Sequence, residues 1–259
     1  MLTSRQNPLI KQIRKLHRAK ARREQGLLLL EGTNLLAAYC ATGQPLAVAG
    51  STPTWQQRHP DLWAQAAQQA QRAVTLAPGL LAAIATTVTP DGAIAAVPRD
   101  RAQVSPALPV ELGIGLEQLQ DPGNLGTAIR TAAAAGCQGL WLSAGSADPE
   151  SPKVLRASAG EWFRLPMAAG ADLGEVARRS QQQGMQVVAS CPQAARPHWA
   201  IGLRQPTLLL VGNEGAGLSP ELAAVADVRA RIPLQAGVES LNAAIATALL
   251  AFEAVRQRQ

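Results

Sequence analysis

Apolar residues after position 109 fall into short runs separated by polar stretches. Five runs have the length and bulk of buried strands: 110–116, 139–143, 186–190, 207–211 and 229–232. Helical spacing predicts four helices: 124–135, 172–183, 219–224 and 240–257. The last helix carries Ile245, Leu249 and Phe252 on one apolar face. Because strands and helices alternate, the pattern predicts a parallel sheet with helices on both faces.

The N-terminal part of the chain is organised differently. Leu9, Ile13 and Leu16 recur at helical spacing and predict a helix over 7–24, capped by Asn7 and ended by Gly26. The pattern beyond it predicts strands at 27–32, 47–49 and 92–97 and helices at 34–42 and 63–73. A charged, proline-containing stretch then predicts a linker. We therefore expect a smaller N-terminal α/β domain over 1–98, a linker over 99–108 and a parallel-sheet domain over 109–259.

Positive charge is concentrated at the N-terminus. The chain has 24 Lys and Arg against 18 Asp and Glu, and residues 1–24 hold eight of these basic residues with one acid. Five basic positions lie off the apolar stripe of the predicted first helix: Lys11, Arg14, Lys15, Arg18 and Arg22. A helix that docks its stripe and presents these cations outward favours an acidic polymer as partner, most simply a nucleic acid. A solvated basic helix with no partner is the alternative.

The composition excludes several classes of protein. With 47% apolar residues the chain can bury a core, which excludes a disordered chain. No apolar run approaches the ~20 residues of a membrane span, and the N-terminus lacks the apolar core of a signal peptide. The three cysteines and three histidines are scattered and form no CxxC pair, so we expect no disulfide framework and no metal site. These features predict a soluble cytoplasmic protein.

Polar residues and glycines cluster after three predicted strands, at the edge where open α/β sheets bind ligands. In the first loop Asn124 is expected to cap the next helix, and Arg130 follows about two turns later. The second loop, GNEGAGLS, places Glu214 among glycines that let backbone N–H groups approach a ligand, but it lacks the GK[ST] of a triphosphate loop. In the third, Ser240 opens a long helix and is a candidate cap. Taken singly, each residue is compatible with a cap or a surface charge.

Taken together and in order, the three loops resemble the motifs of the SpoU/TrmH family of RNA ribose 2′-O-methyltransferases. The matching segments are DPGNLGTAIRTA, GNEGAGLS and IPLQAGVESLNAAIATAL, with DPESPKVLRASAGEWFRLP between the first two. SRQNPLIKQIRKL, KARREQGLLLLEG and TPDGAIAAV are similar to the substrate-binding domain that such enzymes often carry. The resemblance implies a SPOUT-type α/β domain with a C-terminal trefoil knot. It also implies S-adenosylmethionine as cofactor, a homodimer with the active site at the subunit interface, and an RNA substrate.

The resemblance assigns roles residue by residue. Arg130 matches the arginine that activates or orients the 2′-hydroxyl, either as a base or by holding a phosphate and stabilising negative charge. Asn124 and Glu214 are expected to order the pocket and Arg130, and Ser240 and Asn242 to hold the cofactor or the target nucleotide. Five positions match the cofactor contacts: Gly212, Asn213, Ile232, Leu234 and Leu241. Two positions depart from the family pattern, Leu234 (often Met) and Ala244 (often a small polar residue), and neither removes a polar motif residue.

These matches predict an active methyltransferase of ribosomal RNA, because members specific for tRNA often carry short helical extensions instead of an N-terminal domain. A tRNA methyltransferase is the alternative within the class. A non-catalytic RNA-binding or ribosome-assembly factor is the alternative outside it, and the complete polar set argues against it. A nicotinamide dehydrogenase is disfavoured because the chain has no GxGxxG loop after its strands.

Overall fold

A computed structural model describes residues 1–100 and 105–259 of the chain. The chain folds into two compact units. Unit 1 comprises Met1–Gln103 and Asp148–Phe163, and unit 2 comprises Val104–Ala147 and Arg164–Gln259. Four residues of the predicted 99–108 linker, 101–104, lie outside the described part. No helix within the described part is long and apolar enough to cross a bilayer.

Unit 1 contains a four-stranded mixed sheet in the order β1-β4-β2-β3. Its strands are β1 (Leu27–Glu31), β2 (Val48–Ser51), β3 (Ala73–Thr75) and β4 (Ala93–Pro98). Strand β4 runs antiparallel to β1 and β2, and β2 runs parallel to β3. The helices before the end of β4 are α1 (Pro8–Lys15), α2 (Ala19–Gln25), α3 (Thr33–Cys40), α4 (Pro53–Arg58), α5 (Pro60–Gln69) and α6 (Pro78–Ile84).

The helix predicted over 7–24 is two helices. Asn7 caps α1 as predicted, since its Oδ1 accepts the Leu9 N–H at 3.0 Å, and Pro8 occupies the first turn. The first helix ends at Lys15, and Arg18, in an extended conformation, precedes α2. Gly26 ends α2 in the left-handed conformation (φ 62°), which a residue without Cβ adopts without strain. This interruption between the two helices changes the direction in which the basic residues of α2 point.

Unit 2 contains a seven-stranded sheet in the order β7-β6-β5-β10-β8-β11-β9, with every paired strand parallel. The strands are β5 (Leu112–Leu116), β6 (Gly139–Ser143), β7 (Met167–Ala171), β8 (Gln186–Ser190), β9 (Arg196–Pro197), β10 (Thr207–Val211) and β11 (Val228–Arg231). Its helices are α7 (Pro122–Ala134), α9 (Leu173–Gln182), α10 (Pro220–Val225) and α11 (Ala243–Arg258). The predicted parallel α/β sheet is confirmed. The hydrophobic pattern does not predict β7 and β9, which are poor in bulky apolar residues.

The segment 148–163 lies between β6 and β7 in sequence but folds with unit 1. It contains α8 (Pro152–Ala157) and a 3-10 turn at Glu161–Phe163. Arg156 pairs with the buried Glu31 at 2.9 Å, and the buried Arg22 pairs with Asp148. The sequence pattern places this segment in the second domain, because nothing local marks a return to the first.

Helix α11 packs against α7 through small side chains. The buried residues of α11 are Ala243, Ala244, Thr247, Leu250, Ala251 and Ala254. Ile245, Leu249 and Phe252 remain 50%, 39% and 47% exposed. The apolar face predicted from their spacing therefore exists, but it faces away from the core of this chain.

Candidate active site

Three loops at the carboxyl ends of neighbouring strands form the site. The strand β10 lies between β5 and β8, and β11 pairs with β8 on its other side. The loops after β5, β10 and β11 carry the three sequence motifs. Since all these strands are parallel, their carboxyl ends share one edge of the sheet.

A line of hydrogen bonds joins the three loops. Asn124 Nδ2 donates to Glu214 Oε1 at 2.6 Å, and Asn242 Nδ2 donates to Asn124 Oδ1 at 2.8 Å. Asn124 is partly buried and uses both ends of its carboxamide, which fixes the orientation of the amide. The structure thus brings together three predicted residues that are separated by 90 and 118 positions in sequence.

The caps of the two flanking helices differ from the prediction. Asp121, not Asn124, caps α7, because its Oδ1 accepts the Asn124 N–H at 2.8 Å. Asn242, not Ser240, caps α11, because its Oδ1 accepts the N–H groups of Ala244 and Ile245. Each motif contains two residues that suit an N-cap, an aspartate and an asparagine in the first and a serine and an asparagine in the second. Local sequence does not decide between them. The outcome leaves the Asn124 side chain available for Glu214.

The glycine loop after β10 is folded tightly on itself. A Cβ on Gly212 would lie 2.1 Å from the carbonyl carbon of Gly217, so only glycine fits at this position. Asn213 Oδ1 accepts the N–H groups of Gly215 and Ala216, and its Nδ2 donates to the Gln118 carbonyl at 2.9 Å. The Asn213 side chain is therefore engaged in shaping the loop and tying it to the loop after β5.

Glu117 is a structural residue of the site that sequence reasoning missed. Its carboxylate accepts both the backbone N–H and the hydroxyl of Ser219 at 2.7 Å. This contact joins the end of β5 to the start of α10. An acidic residue immediately after a strand, at the edge where the motifs cluster, was the available signal.

The loops enclose a cavity of about 400 Å3. All five residues predicted to contact the cofactor line it: Gly212, Asn213, Ile232, Leu234 and Leu241. Glu214 and Ser240 line it as well. Asn124 is connected to the cavity by its hydrogen bond to Glu214, and Asn242 by its hydrogen bond to Asn124.

The end of β8 and the loop after it add Ser190–Gln193 to the lining of this cavity, and these residues were not predicted as site residues. The strand itself was predicted, but its loop carries no motif that marks a ligand site. Partial burial raises the pKa of the Cys191 thiol in this loop, against the opposing charge of Arg229.

Arg130 lies apart from this cavity. It is exposed on α7, and its guanidinium has no hydrogen-bond or ion-pair partner within residues 1–100 and 105–259. A single chain therefore does not place Arg130 in the cavity with the other predicted catalytic residues.

The predicted RNA-binding residues divide into two sets. Lys11, Arg14, Lys15 and Arg18 are exposed, as expected. Arg22 is 1% exposed, and its guanidinium donates to the Leu16 and His17 carbonyls and pairs with Asp148. The expectation that Arg22 faces outward is wrong, because the interruption between α1 and α2 turns this side chain inward.

Among the residues that the structure describes, no three His, Cys, Asp or Glu side chains form a group that could hold a metal ion.

Comparison with known proteins defines the family. Residues 111–252 match the SpoU rRNA Methylase family, and residues 7–95 match the MRM3-like substrate binding domain. The chain belongs to the SpoU methylase family. A tRNA/rRNA methyltransferase of Synechocystis sp. is 43% identical over 99% of this chain and 94% of its own length.

Two further relatives match nearly the whole chain. The 23S rRNA (guanosine(2553)-2′-O)-methyltransferase RlmP of Bacillus subtilis is 31% identical over 97% of both chains. The crystal structure of an AdoMet-bound rRNA methyltransferase from Sinorhizobium meliloti is 32% identical, with a TM-score of 0.86 over 100% of this chain and 98% of that one. The likeness therefore extends to both units.

Proposed function

We propose that this SpoU-family protein transfers a methyl group from S-adenosylmethionine to a ribose 2′-hydroxyl of ribosomal RNA. The observation that carries the proposal is the pair of hydrogen bonds that Asn124 makes with Glu214 and with Asn242 beside the cavity of the three loops. The Bacillus subtilis relative is named for this reaction, and the Sinorhizobium meliloti relative was crystallised with AdoMet.

The cavity fits S-adenosylmethionine in size and chemistry. Its volume of about 400 Å3 lies within the usual range of small-molecule sites. Ile232, Leu234 and Leu241 offer apolar surface for an adenine ring, and the backbone of the loop that begins at Gly212 offers hydrogen-bonding groups. The carboxylates of Glu214 and Glu239 line the same cavity and favour a positively charged ligand. We therefore assign these residues to cofactor binding.

Bound S-adenosylmethionine supplies an electrophilic methyl group. As the methyl group leaves sulfur for the 2′-oxygen, the hydroxyl proton must pass to solvent, so the protein's part is to orient this oxygen and stabilise its developing charge. A guanidinium is a poor base because it stays protonated at physiological pH, so we assign Arg130 to a nearby phosphate and to the negative charge that develops on the 2′-oxygen. Asn124 and Glu214 position the loops around the reacting groups, and Ser240 and Asn242 line the approach of the nucleotide.

We further propose a homodimer in which Arg130 completes the site of the partner subunit. Two observations support it: Arg130 does not line the cavity of its own chain, and α11 exposes an apolar stripe of Ile245, Leu249 and Phe252. Exposed apolar side chains at this spacing on one helix are typical of a protein interface. The family's trefoil knot is part of the same proposal, supported by the convergence of the loops after β10 and β11 and the start of α11 on one cavity.

The domain predicted over 1–98 would hold the RNA, with 109–259 as the catalytic domain beyond the 99–108 linker. Its exposed cations Lys11, Arg14, Lys15 and Arg18 suit phosphate contacts, which position RNA without reading its sequence. The match to a substrate-binding domain supports this assignment. We also propose that the protein acts in the cytoplasm, since its relative in Bacillus subtilis is named for the methylation of 23S rRNA.

The test is transfer of label from methyl-tritiated S-adenosylmethionine to purified ribosomal RNA and, separately, to tRNA. We expect alkali-resistant label at one position of ribosomal RNA, absent with Arg130→Ala and retained with Arg178→Ala, which removes an exposed arginine on α9. Label in tRNA alone would keep the chemistry and overturn the substrate. RNA binding without label in naked RNA or in ribosomal particles would favour a non-catalytic factor and overturn the proposal.

A further inference from the structure

Unit 1 contains a groove that none of the roles above uses. It has a volume of about 540 Å3 and lies at the end of the sheet where β1 and β2 begin and β4 ends. The helix α1 forms its other side. The apolar residues that line it are Leu9, Ile13, Leu16, Leu27, Ala47, Val48, Ala96 and Pro98.

The polar lining of the groove consists of three carboxamides and one guanidinium: Gln12, Gln25, Gln71 and Arg72. Gln25 Oε1 is buried and has no hydrogen-bond partner among the described residues, while its Nε2 makes a long 3.5 Å contact with the Gln12 carbonyl. A buried acceptor without a donor destabilises a fold unless something else supplies the donor. Because Gln25 lines the groove, a rotation of its carboxamide would present this unused acceptor to a ligand.

The charged residue in the described lining of the groove is basic. Arg72 is exposed in its wall, and Lys15 lies next to Gln12 on α1, three residues further along the same helix face. No acidic residue of the described part lines the groove. Carboxamides present both donors and acceptors, as the edge of an unpaired nucleobase does, and cations beside them attract the phosphate.

We infer that this groove binds one unpaired nucleotide of the RNA substrate, with its base among the aliphatic side chains and its phosphate toward Lys15 and Arg72. The inference rests on the proposed RNA substrate and names a subsite for it. Since the described lining contains no aromatic ring, the base is held by aliphatic contact and by hydrogen bonds to Gln12, Gln25 or Gln71. A base in a duplex has this edge engaged, so the groove selects unpaired RNA.

Photo-crosslinking of the full chain tests the position directly. The probe is a twelve-nucleotide oligouridylate containing one 4-thiouridine, and the readout is the mass of crosslinked peptides after digestion. We expect adducts on the peptide that contains residues 71–72, besides the adducts on 8–27 that the proposed phosphate contacts of α1 already predict. Absence of adducts at 71–72 would overturn the inference.

Affinity measurements by fluorescence anisotropy test the chemistry. We expect Gln25→Leu to weaken binding of the oligouridylate about 5–10-fold and to leave binding of an RNA duplex within about twofold. Lys20→Gln, which removes one exposed cation of α2, is the matched control and should change neither affinity by more than about twofold. Unchanged oligouridylate affinity for Gln25→Leu, or an equal loss for both probes, contradicts the inference.

Two accompanying measurements separate this inference from the proposed function. Calorimetric affinity for S-adenosylmethionine reports on the fold of Gln25→Leu and should equal that of the wild type. Label transfer to ribosomal RNA by the wild type reports on the function. If the wild type methylates RNA but crosslinks elsewhere, only the inference about the groove is overturned. If it crosslinks in the groove but transfers no label, only the proposed reaction is overturned.

Discussion

Asn124 joins the loops of the site because a carboxamide can donate and accept at once. Its Nδ2 donates to the Glu214 carboxylate, and its Oδ1 accepts from Asn242. Aspartate has the same shape but no donor, so Asn124→Asp would place two carboxylates in contact. We expect this variant to lose about 10–100-fold in kcat/KM for methyl transfer, since hydrogen bonds to charged groups contribute about 1.5–3 kcal/mol. Steady-state kinetics with labelled S-adenosylmethionine measure the loss.

The control for this prediction is Asn34→Asp, the same change at an exposed position on α3 of unit 1. It should keep wild-type kinetics. If Asn124→Asp were as active as Asn34→Asp, the bonds between the loops would have no part in catalysis.

Individual residues also show where sequence reasoning stops. The resemblance to the SpoU motifs identified five residues that line the cavity: Gly212, Asn213, Ile232, Leu234 and Leu241. It did not identify the caps, since Asp121 and Asn124 both suit an N-cap and only the distant Glu214 separates their roles. The helical pattern also predicted the wrong direction for Arg22, because the three residues between α1 and α2 decide which way this side chain points.

At the scale of elements, α11 shows why a hydrophobic pattern does not identify its partner. Ile245, Leu249 and Phe252 have the spacing of a core-facing stripe, yet this stripe is exposed and the buried face consists of four alanines with Thr247 and Leu250. Periodicity reports that a helix has an apolar side. It does not report whether that side packs within the chain or against another molecule.

The exposed stripe gives a test of the dimer. We expect Phe252→Glu to convert the protein to a monomer and to abolish methyl transfer, because a buried, unpaired carboxylate opposes association. Sedimentation equilibrium measures the mass. Val88→Glu, the same kind of change at a side chain that is 98% exposed in unit 1, should stay dimeric. If the Phe252→Glu protein remains a dimer, α11 is not part of the dimer interface.

The C-terminal end of α11 contains an acid-sensitive contact. Hydrogen bonds from Arg256 lower the pKa of Glu253 from 4.5 to about 2, and Gln257 bonds to the same carboxylate and to the Ile201 carbonyl. Because the folded state releases this proton more readily than the unfolded state, Glu253 contributes stability above pH 4.5 that is lost as the pH falls toward 2. Thermal unfolding should therefore show a smaller decrease in Tm between pH 5 and pH 3 for Glu253→Gln than for the wild type. Equal decreases for the two proteins would show that this carboxylate is not stabilised by its neighbours.

At the scale of the whole molecule, the division of the chain does not follow the sequence. The charged, proline-containing stretch predicts a boundary over 99–108, but the return of 148–163 to unit 1 involves ion pairs between residues about 125 positions apart. Such pairs leave no local pattern. Asp148 and Arg156 read as ordinary surface charges until the structure places them beside Arg22 and Glu31.

The pair of Arg22 and Asp148 makes the stability of unit 1 dependent on this distant segment. The Arg22 side chain is 2% exposed, so removing the Asp148 carboxylate leaves a buried guanidinium with only carbonyl partners. We expect Asp148→Ala to lower the free energy of unfolding by about 2–3 kcal/mol, measured by urea titration of tryptophan fluorescence. Trp55 and Trp162, both buried in unit 1, report the transition. Asp61→Ala, at an exposed carboxylate of α5, should change it by less than about 0.5 kcal/mol.

A double variant separates the charge from the contact. If the loss in Asp148→Ala comes from an uncompensated buried charge, then replacing both partners, as in Arg22→Met with Asp148→Leu, should recover part of the stability, because no charge is left buried. If it comes from the detachment of 148–163 from unit 1, the double variant should be as unstable as the single one. The first result is expected, since Arg156 and Glu31 still hold the segment through a second pair. An Asp148→Ala protein as stable as Asp61→Ala would show that neither explanation holds and that the fold of unit 1 does not need this pair.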